Sequence, residues 1–236
     1  MSDNGGEHSE RPRQLVSWTF YKVAPEWRRL DAESRRKGKE EFLAILDEFR
    51  ASIFLRTYSL VGIRGDCDFM VMKAAHELEL FNRLEGELNA TGLGAYLQRP
   101  FSYLAGLRRS LYLPETAGGE RHGAGTINPG RGGKYLFVYP FVKQRAWYKL
   151  TKAARQGMMN EHIAVGGKFD FEINTAYSFG LDDQEFVVCF EGDDPHHFTD
   201  LVMELRDTEA SAYTQRDTPT FTCLRQPPAQ VLDLIG

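Results

Sequence analysis

Hydrophobic and polar positions along the chain predict strands and helices in an order that occurs twice. Residues 1–13 are polar and are expected to form a flexible tail. Alternation over residues 14–23 predicts a strand. Beyond Pro25 the charged stretch EWRRLDAESRRKGKEEFLAILDEFRAS predicts a long helix, with Phe42, Leu43, Ile45, Leu46 and Phe49 at helical spacing and intermixed acids and bases on the solvated side. Two apolar runs, 52–61 and 68–72, flank the turn GIRGDC and predict a hairpin. A helix over 74–93 and a strand over 101–107 follow. After a long break the series returns. KYLFVYPF is a strand with Pro140 at its exit, VKQRAWYKLTKAARQGMMNEHI a helix, and FDFEINTAYSF with EFVVCFE a second hairpin. A helix over 195–207 and a strand around Phe221 complete it. In GDDPHHF, Asp194 as N-cap and Pro195 at the first helical position account for the pattern without a metal site.

Strand, helix, strand, strand, helix, strand, read twice, predicts an α+β duplication of two ferredoxin-like halves whose sheets pack or join as in a dimeric α/β barrel. The copies share letters as well: YSLVGIRGDCDFMVM in the first stands against YSFGLDDQEFVVCF in the second. The expected boundaries are 14–112 and 134–236, with a glycine-rich connection over 113–133 that is either disordered or functional.

Composition narrows the class. A chain of 236 residues, 42% hydrophobic, can bury one large core or two small ones. The start, MSDNGGEHSERPRQ, lacks the apolar run of a signal peptide, and no later stretch approaches the roughly 20 apolar residues of a membrane span, so a cytoplasmic protein without membrane insertion is expected. Cys67, Cys189 and Cys223 are far apart and odd in number, and read as small buried apolar residues. The net charge of -4 argues against general nucleic-acid binding.

Charge is unevenly spread. From Arg121 to Asn160 there is no Asp or Glu, while Arg121, Arg131, Lys134, Lys143, Arg145, Lys149, Lys152 and Arg155 all fall there. Interleaved are Tyr135, Phe137, Tyr139, Phe141, Trp147 and Tyr148, then Met158 and Met159. An apolar slot with cations at its rim suits a flat carboxylated macrocycle, and it also suits single-stranded nucleic acid. His162 bears on the choice. Near a helix end, with Met158 one turn before it, it is either an axial iron ligand or a histidine that merely packs. Tyr139 shares a strand face with Tyr135 and Phe137, and is either a radical-forming phenol or a packing aromatic. If a helix starts directly after Pro140, Lys143 and Trp147 share one face. Lys143 then either anchors a propionate or stands at a solvated rim, and Trp147 either lines the slot, relays an electron or anchors a core. His122, in the glycine-rich connection, is either a base for peroxide or a solvated residue. Arg131 and Arg145 are candidate propionate contacts on charge alone.

KYLFVYPFVKQRAWYKL, MMNEHIAVG, and GLDDQEFVVCFE with RDTEASAYTQRDTPTF resemble the chlorite-dismutase-like superfamily, in particular its actinobacterial coproheme decarboxylase branch. The resemblance covers almost the whole chain after the first dozen residues. It implies an oxidoreductase that takes iron coproporphyrin (coproheme), consumes two hydrogen peroxide molecules and converts two propionates to vinyls, yielding haem b. It implies His162 as proximal ligand, Tyr139 as radical tyrosine, Lys143 and Trp147 beside it, and His122 as distal base. The chlorite-splitting members carry a distal arginine after the proximal histidine. Here no arginine occurs between His162 and Arg206, which disfavours chlorite as substrate. A homopentamer is also implied. Two other expectations use the same residues: a haem carrier without turnover, and a haem peroxidase that spares the porphyrin arms.

Overall fold

A computed structural model describes residues 13–113 and 132–236. The first half comprises β1 (Leu15–Val23), a 3-10 turn (Pro25–Arg29), α1 (Ala32–Phe49), β2 (Phe54–Ser59), β3 (Phe69–Ala75), α2 (Leu78–Asn89), a second 3-10 turn (Gly94–Tyr96) and β4 (Leu97–Gly106). The second comprises β5 (Tyr135–Lys143), α3 (Arg145–Lys149), α4 (Lys152–Gly166), β6 (Glu172–Tyr177), β7 (Phe186–Gly192), α5 (Pro195–Arg206), a third 3-10 turn (Glu209–Tyr213), β8 (Thr214–Arg216), β9 (Phe221–Arg225) and α6 (Pro228–Asp233).

Strands of the first half lie in the order β4-β1-β3-β2 and those of the second in the order β9-β5-β7-β6, the same arrangement twice. Two short pairings join them: β2 to β9 at Tyr58↔Arg225 and Ser59↔Leu224, and β4 to β6 at Gly106↔Tyr177. With β7 also paired to β5, eight strands close into an antiparallel ring, and β8 lies along the far end of β5. Closure pairs the edges that each half would otherwise expose.

Alternation then decides what lies inside. Val16, Trp18 and Phe20 of β1 point into the ring with Met70, Met72, Leu136, Val138, Val187 and Phe221. By the same alternation Leu15, Tyr21 and Val23 lie on the outer face beneath α1 and α2. Phe221 is fully buried, stacked on Phe20 at 4.0 Å between ring centroids and meeting Phe101 edge-on at 5.1 Å. Cys67, Cys189 and Cys223 are buried and free, as expected.

An ion pair joins the halves across the interior of the ring. Arg56 of β2 donates through Nη1 to both carboxylate oxygens of Glu191 on β7, at 3.0 and 2.9 Å, with both side chains nearly inaccessible. Burial pushes the Glu191 carboxyl up to about 7 although Arg56 opposes the shift. Gly132, at a φ of 115°, passes so close that a side chain there would collide with Glu191 and Arg56.

The elements sit where the periodicity put them, with five adjustments. Pro140 does not end its strand: it stands opposite Val187, and β5 runs on to Lys143. On the other edge of β5, β9 pairs as far as Val138 and β8 begins at Val142, so Pro140 occupies the unpaired interval, where a residue without an N–H is tolerated. The single helix expected after it is therefore two, broken at Leu150 (φ -68°, ψ 149°) and restarted by Thr151, whose side chain accepts from the Ala154 N–H. The first half breaks likewise at Leu30 before the Asp31 cap. Helix α2 starts at Leu78 because Ala74 and Ala75 still pair with β1, and β4 begins at Leu97, four residues before Phe101. Asp194 caps α5 by accepting from the His196 N–H at 2.8 Å, with Pro195 in the first turn.

Replacing Phe221 with alanine leaves a gap inside the ring and is expected to destabilise the fold by about 3–5 kcal/mol. Urea unfolding monitored by circular dichroism measures this, and a loss below about 1 kcal/mol would show that the interior collapses around the gap.

Candidate functional site

Equivalent positions in the two halves do the same local work, and the places where they differ locate the site. Trp27 and Trp147 follow β1 and β5, and each ring meets a tyrosine, Tyr96 at 5.7 Å and Tyr213 at 5.5 Å. Ala24 N–H donates to the Tyr96 carbonyl and Gln144 N–H to the Tyr213 carbonyl. Glu41 of α1 accepts from the Gly92 N–H, and Glu161 of α4 from the Glu209 N–H. Phe81, Leu84 and Leu88 on α2 have counterparts in Phe198, Leu201 and Leu205 on α5, all buried.

The correspondence fails between α1 and α4. Helix α1 buries Phe42, Leu46 and Phe49 against its sheet, and Phe42 packs edge-on to both Tyr21 and Phe69. In α4 only Gly166 is fully buried. Met158, Met159, His162, Ile163 and Val165 are half-covered, and His162 stands where α1 has Phe42. The sheet below repeats the pattern. Phe137, Phe171, Phe190 and Phe198 close one end of this layer, with Phe137 and Phe198 stacked at 3.9 Å. Tyr139 and Val188 are only partly covered. The side chains facing each other between α4 and the outer face of β5 and β7 are thus less covered than their counterparts beneath α1.

In this region the sequence-predicted residues are placed as follows. Tyr139 shares the outer face with Tyr135 and Phe137, as alternation required. Burial and Asp217 hold its phenol above the usual range, against Arg206, which pairs with Asp217 at 2.5 Å. The phenol is therefore protonated at neutral pH. The imidazole of His162 is pushed down to about 4, chiefly by burial and further by Lys143, with Glu161 opposing. It is neutral at pH 7, with a lone pair available. Its Nδ1 lies 3.2 Å from the Thr208 Oγ1.

Lys143 is not a solvated rim residue. Its side chain is buried, its Nζ donates to the Ala210 carbonyl at 2.6 Å and lies 4.6 Å above the Trp147 ring, and burial lowers its pKa to about 8. It meets Trp147 by ending β5 just before α3, and no shared helix is involved. Trp147 is 2% exposed, wedged between Tyr213 and Tyr112, and so is a core anchor. Arg145 lies open to solvent, 3.7 Å from Glu185. His122 and Arg131 lie outside the described residues. The chain leading toward them is fastened to the site, since the Tyr112 carbonyl accepts from Gln156 of α4 at 3.0 Å.

Sequence reading missed Thr208, the Ala210 carbonyl and Glu185, which accepts from both the Lys143 N–H and the Tyr148 hydroxyl. Pairing the halves residue by residue would have found the first, because Thr91 holds the same place after α2. Among the described residues no group of three or more His, Cys, Asp or Glu stands ready for a metal ion. His162 as a lone imidazole suits an ion that arrives already held by another ligand, which a metalloporphyrin provides.

His162→Phe installs the residue that α1 uses at this place. A neutral buried histidine costs stability as pH falls from its unfolded value near 6.5 through about 4, because only the unfolded chain takes up the proton readily. The variant is expected to lose that part of the acid sensitivity, read as a smaller drop in melting temperature between pH 7.5 and pH 5. An unchanged drop would mean that His162 is not held neutral.

Comparison with known proteins agrees with this architecture. The family described as "Chlorite dismutase" matches residues 35–226. The coproheme decarboxylase of Mycolicibacterium smegmatis is 31% identical over 171 residues, covering 70% of each chain. Among solved structures, chlorite dismutase from Candidatus Nitrospira defluvii in complex with imidazole superposes with a TM-score of 0.84 at 22% identity, covering 93% of this chain and 94% of that one. A putative chlorite dismutase, TA0507, gives 0.78 at 19% identity over 94% and 98%. With the duplicated α+β ring and a family match over most of its length, this chain belongs to the chlorite dismutase family.

Proposed function

We propose that this protein binds iron coproporphyrin in the layer between α4 and the outer face of β5 and β7 and, with hydrogen peroxide, decarboxylates two of its propionates to give haem b. The observation that carries the reading is the partly covered face between α4 and the sheet, with neutral His162 in the place of Phe42 and Tyr139 on the outer face of β5. Likeness to the M. smegmatis coproheme decarboxylase supports the choice of substrate. The family resemblance further supports a homopentamer. No helix among the described residues is long and apolar enough to cross a membrane.

His162 holds the iron through a ring nitrogen, and the partly covered methionines and aromatics of the layer cover the macrocycle and keep water from it. Bound iron supplies the means of drawing oxidising equivalents from peroxide. Tyr139, held protonated by its surroundings, gives up an electron together with its proton and then takes a hydrogen atom from a propionate arm. Loss of a second electron from that arm with release of carbon dioxide leaves a vinyl group. Each round balances as one propionate carboxylate, one hydrogen peroxide and one proton giving one vinyl, one carbon dioxide and two waters.

Lys143 changes role from the one first expected. With its ammonium on the Ala210 carbonyl it is spoken for, and on the His162 side it adds to the burial that chiefly holds that ring unprotonated. Propionate contacts fall to exposed bases, with Arg145 in reach of solvent and Arg131 a further candidate. His122 is proposed as the base that takes the first proton from peroxide.

The test loads the purified protein with ferric coproporphyrin, adds hydrogen peroxide stepwise and follows the porphyrin by mass spectrometry. Two successive losses of a carboxyl group ending at haem b are expected. Tyr139→Phe should bind the porphyrin normally and stop decarboxylation, whereas His162→Ala should lose the ligand spectrum. Binding with an unchanged or merely bleached porphyrin would overturn the decarboxylase reading in favour of a carrier or a peroxidase, and full turnover by Tyr139→Phe would remove that residue from the mechanism.

A further inference from the structure

Thr208 sits just past the end of α5 and its hydroxyl has two partners. It lies 2.7 Å from the Leu205 carbonyl, to which it donates, and 3.2 Å from the Nδ1 of His162. A hydroxyl has one proton to give. Which partner receives it fixes the tautomer of the imidazole, since Nδ1 must carry a hydrogen if the oxygen accepts from it and must lack one if the oxygen donates.

The first half contains the same device with the ambiguity removed. Thr91, at the equivalent place past α2, has its hydroxyl 2.7 Å from the Leu88 carbonyl and accepts from the Gly94 N–H at 2.9 Å. A backbone N–H can only donate, so the Thr91 proton lies on the Leu88 carbonyl. In the second half the backbone N–H at the matching position, that of Ser211, turns instead to the Thr208 carbonyl oxygen at 3.0 Å. This frees the accepting side of the Thr208 hydroxyl, and His162 occupies it.

We propose that Thr208 is a positioning residue: its hydroxyl accepts from His162 Nδ1–H, fixes that tautomer before any ligand arrives, and leaves Nε2 as the nitrogen that binds iron. The last clause rests on the function proposed above, and the tautomer does not. Two further contacts hold the pair in place. Glu161, next to His162 on α4, accepts from the N–H of Glu209, next to Thr208, at 3.1 Å, while Lys143 anchors the same turn through the Ala210 carbonyl. Outer partners of this kind commonly change metal affinity by about 10–100-fold when removed.

Long-range proton–nitrogen NMR of the ligand-free protein, labelled with nitrogen-15 at histidine, reads the tautomer directly, with His162 assigned by its absence in His162→Ala. The wild type is expected to show Nδ1 protonated and Nε2 bare. Thr208→Val should move the ring toward a mixture with the opposite tautomer and weaken ferric coproporphyrin binding by about tenfold, and Thr208→Ser should restore both. A bare Nδ1 in the wild type would overturn the proposal even if Thr208→Val fails to fold. So would a Thr208→Val protein with an unchanged tautomer and unchanged affinity. The expected tautomer without any His162-dependent porphyrin binding would keep the Thr208–His162 bond and sink the functional reading instead.

Discussion

Closing eight strands into one ring is the constraint from which the rest of this structure follows. Once the inner faces of both half-sheets are sealed around Trp18, Phe20 and Phe221, each half has a single outer face left to cover. The outer face of the first half is covered by its own α1 and α2 together with α6 from the end of the second. The second has the same strands and an equivalent α5, but the side chains between its α4 and the sheet are less covered. The proposed ligand layer therefore needs no new architecture, only a second copy in which the place of Phe42 is taken by His162 and α4 buries less of its apolar face.

That substitution has electrostatic as well as steric content. A histidine in an apolar layer beside a lysine is kept neutral, and a phenol in the same layer keeps its proton. The two groups are thus present in their uncharged forms, which suits the apolar ring of the flat, redox-active ligand proposed above. Lys143 contributes by being satisfied elsewhere: with its proton donor on a backbone carbonyl and its charge over Trp147, it acts on His162 at a distance.

Much of this was legible in the residues. Alternation in KYLFVYPF put Tyr139 on one face with Tyr135 and Phe137, and the element order gave two ferredoxin-like halves. What failed did so for identifiable reasons. Pro140 looked like a strand end because a proline breaks a ladder, and nothing local reveals that its outer edge is shared by two different strands with a gap between them. Lys143 was open to two readings, a propionate anchor or a solvated rim residue, and neither showed its burial, because its partner is a backbone carbonyl, which has no letter of its own. Thr208 lies far from His162 in sequence and meets it only because α4 docks on the turn after α5. Reading one half against the other recovers it, since Thr91 and Phe42 already mark the two positions.

The Arg56–Glu191 pair ties the two copies together across the interior of the ring. The first copy contributes the guanidinium and the second the carboxylate that answers it, both nearly inaccessible to water. Removing either side chain would leave its partner buried without the ion pair that compensates its burial, so a change on the inner face of one half is felt by the other. The outer face of the second half lies on the opposite side of its strands and is not bound by that dependence.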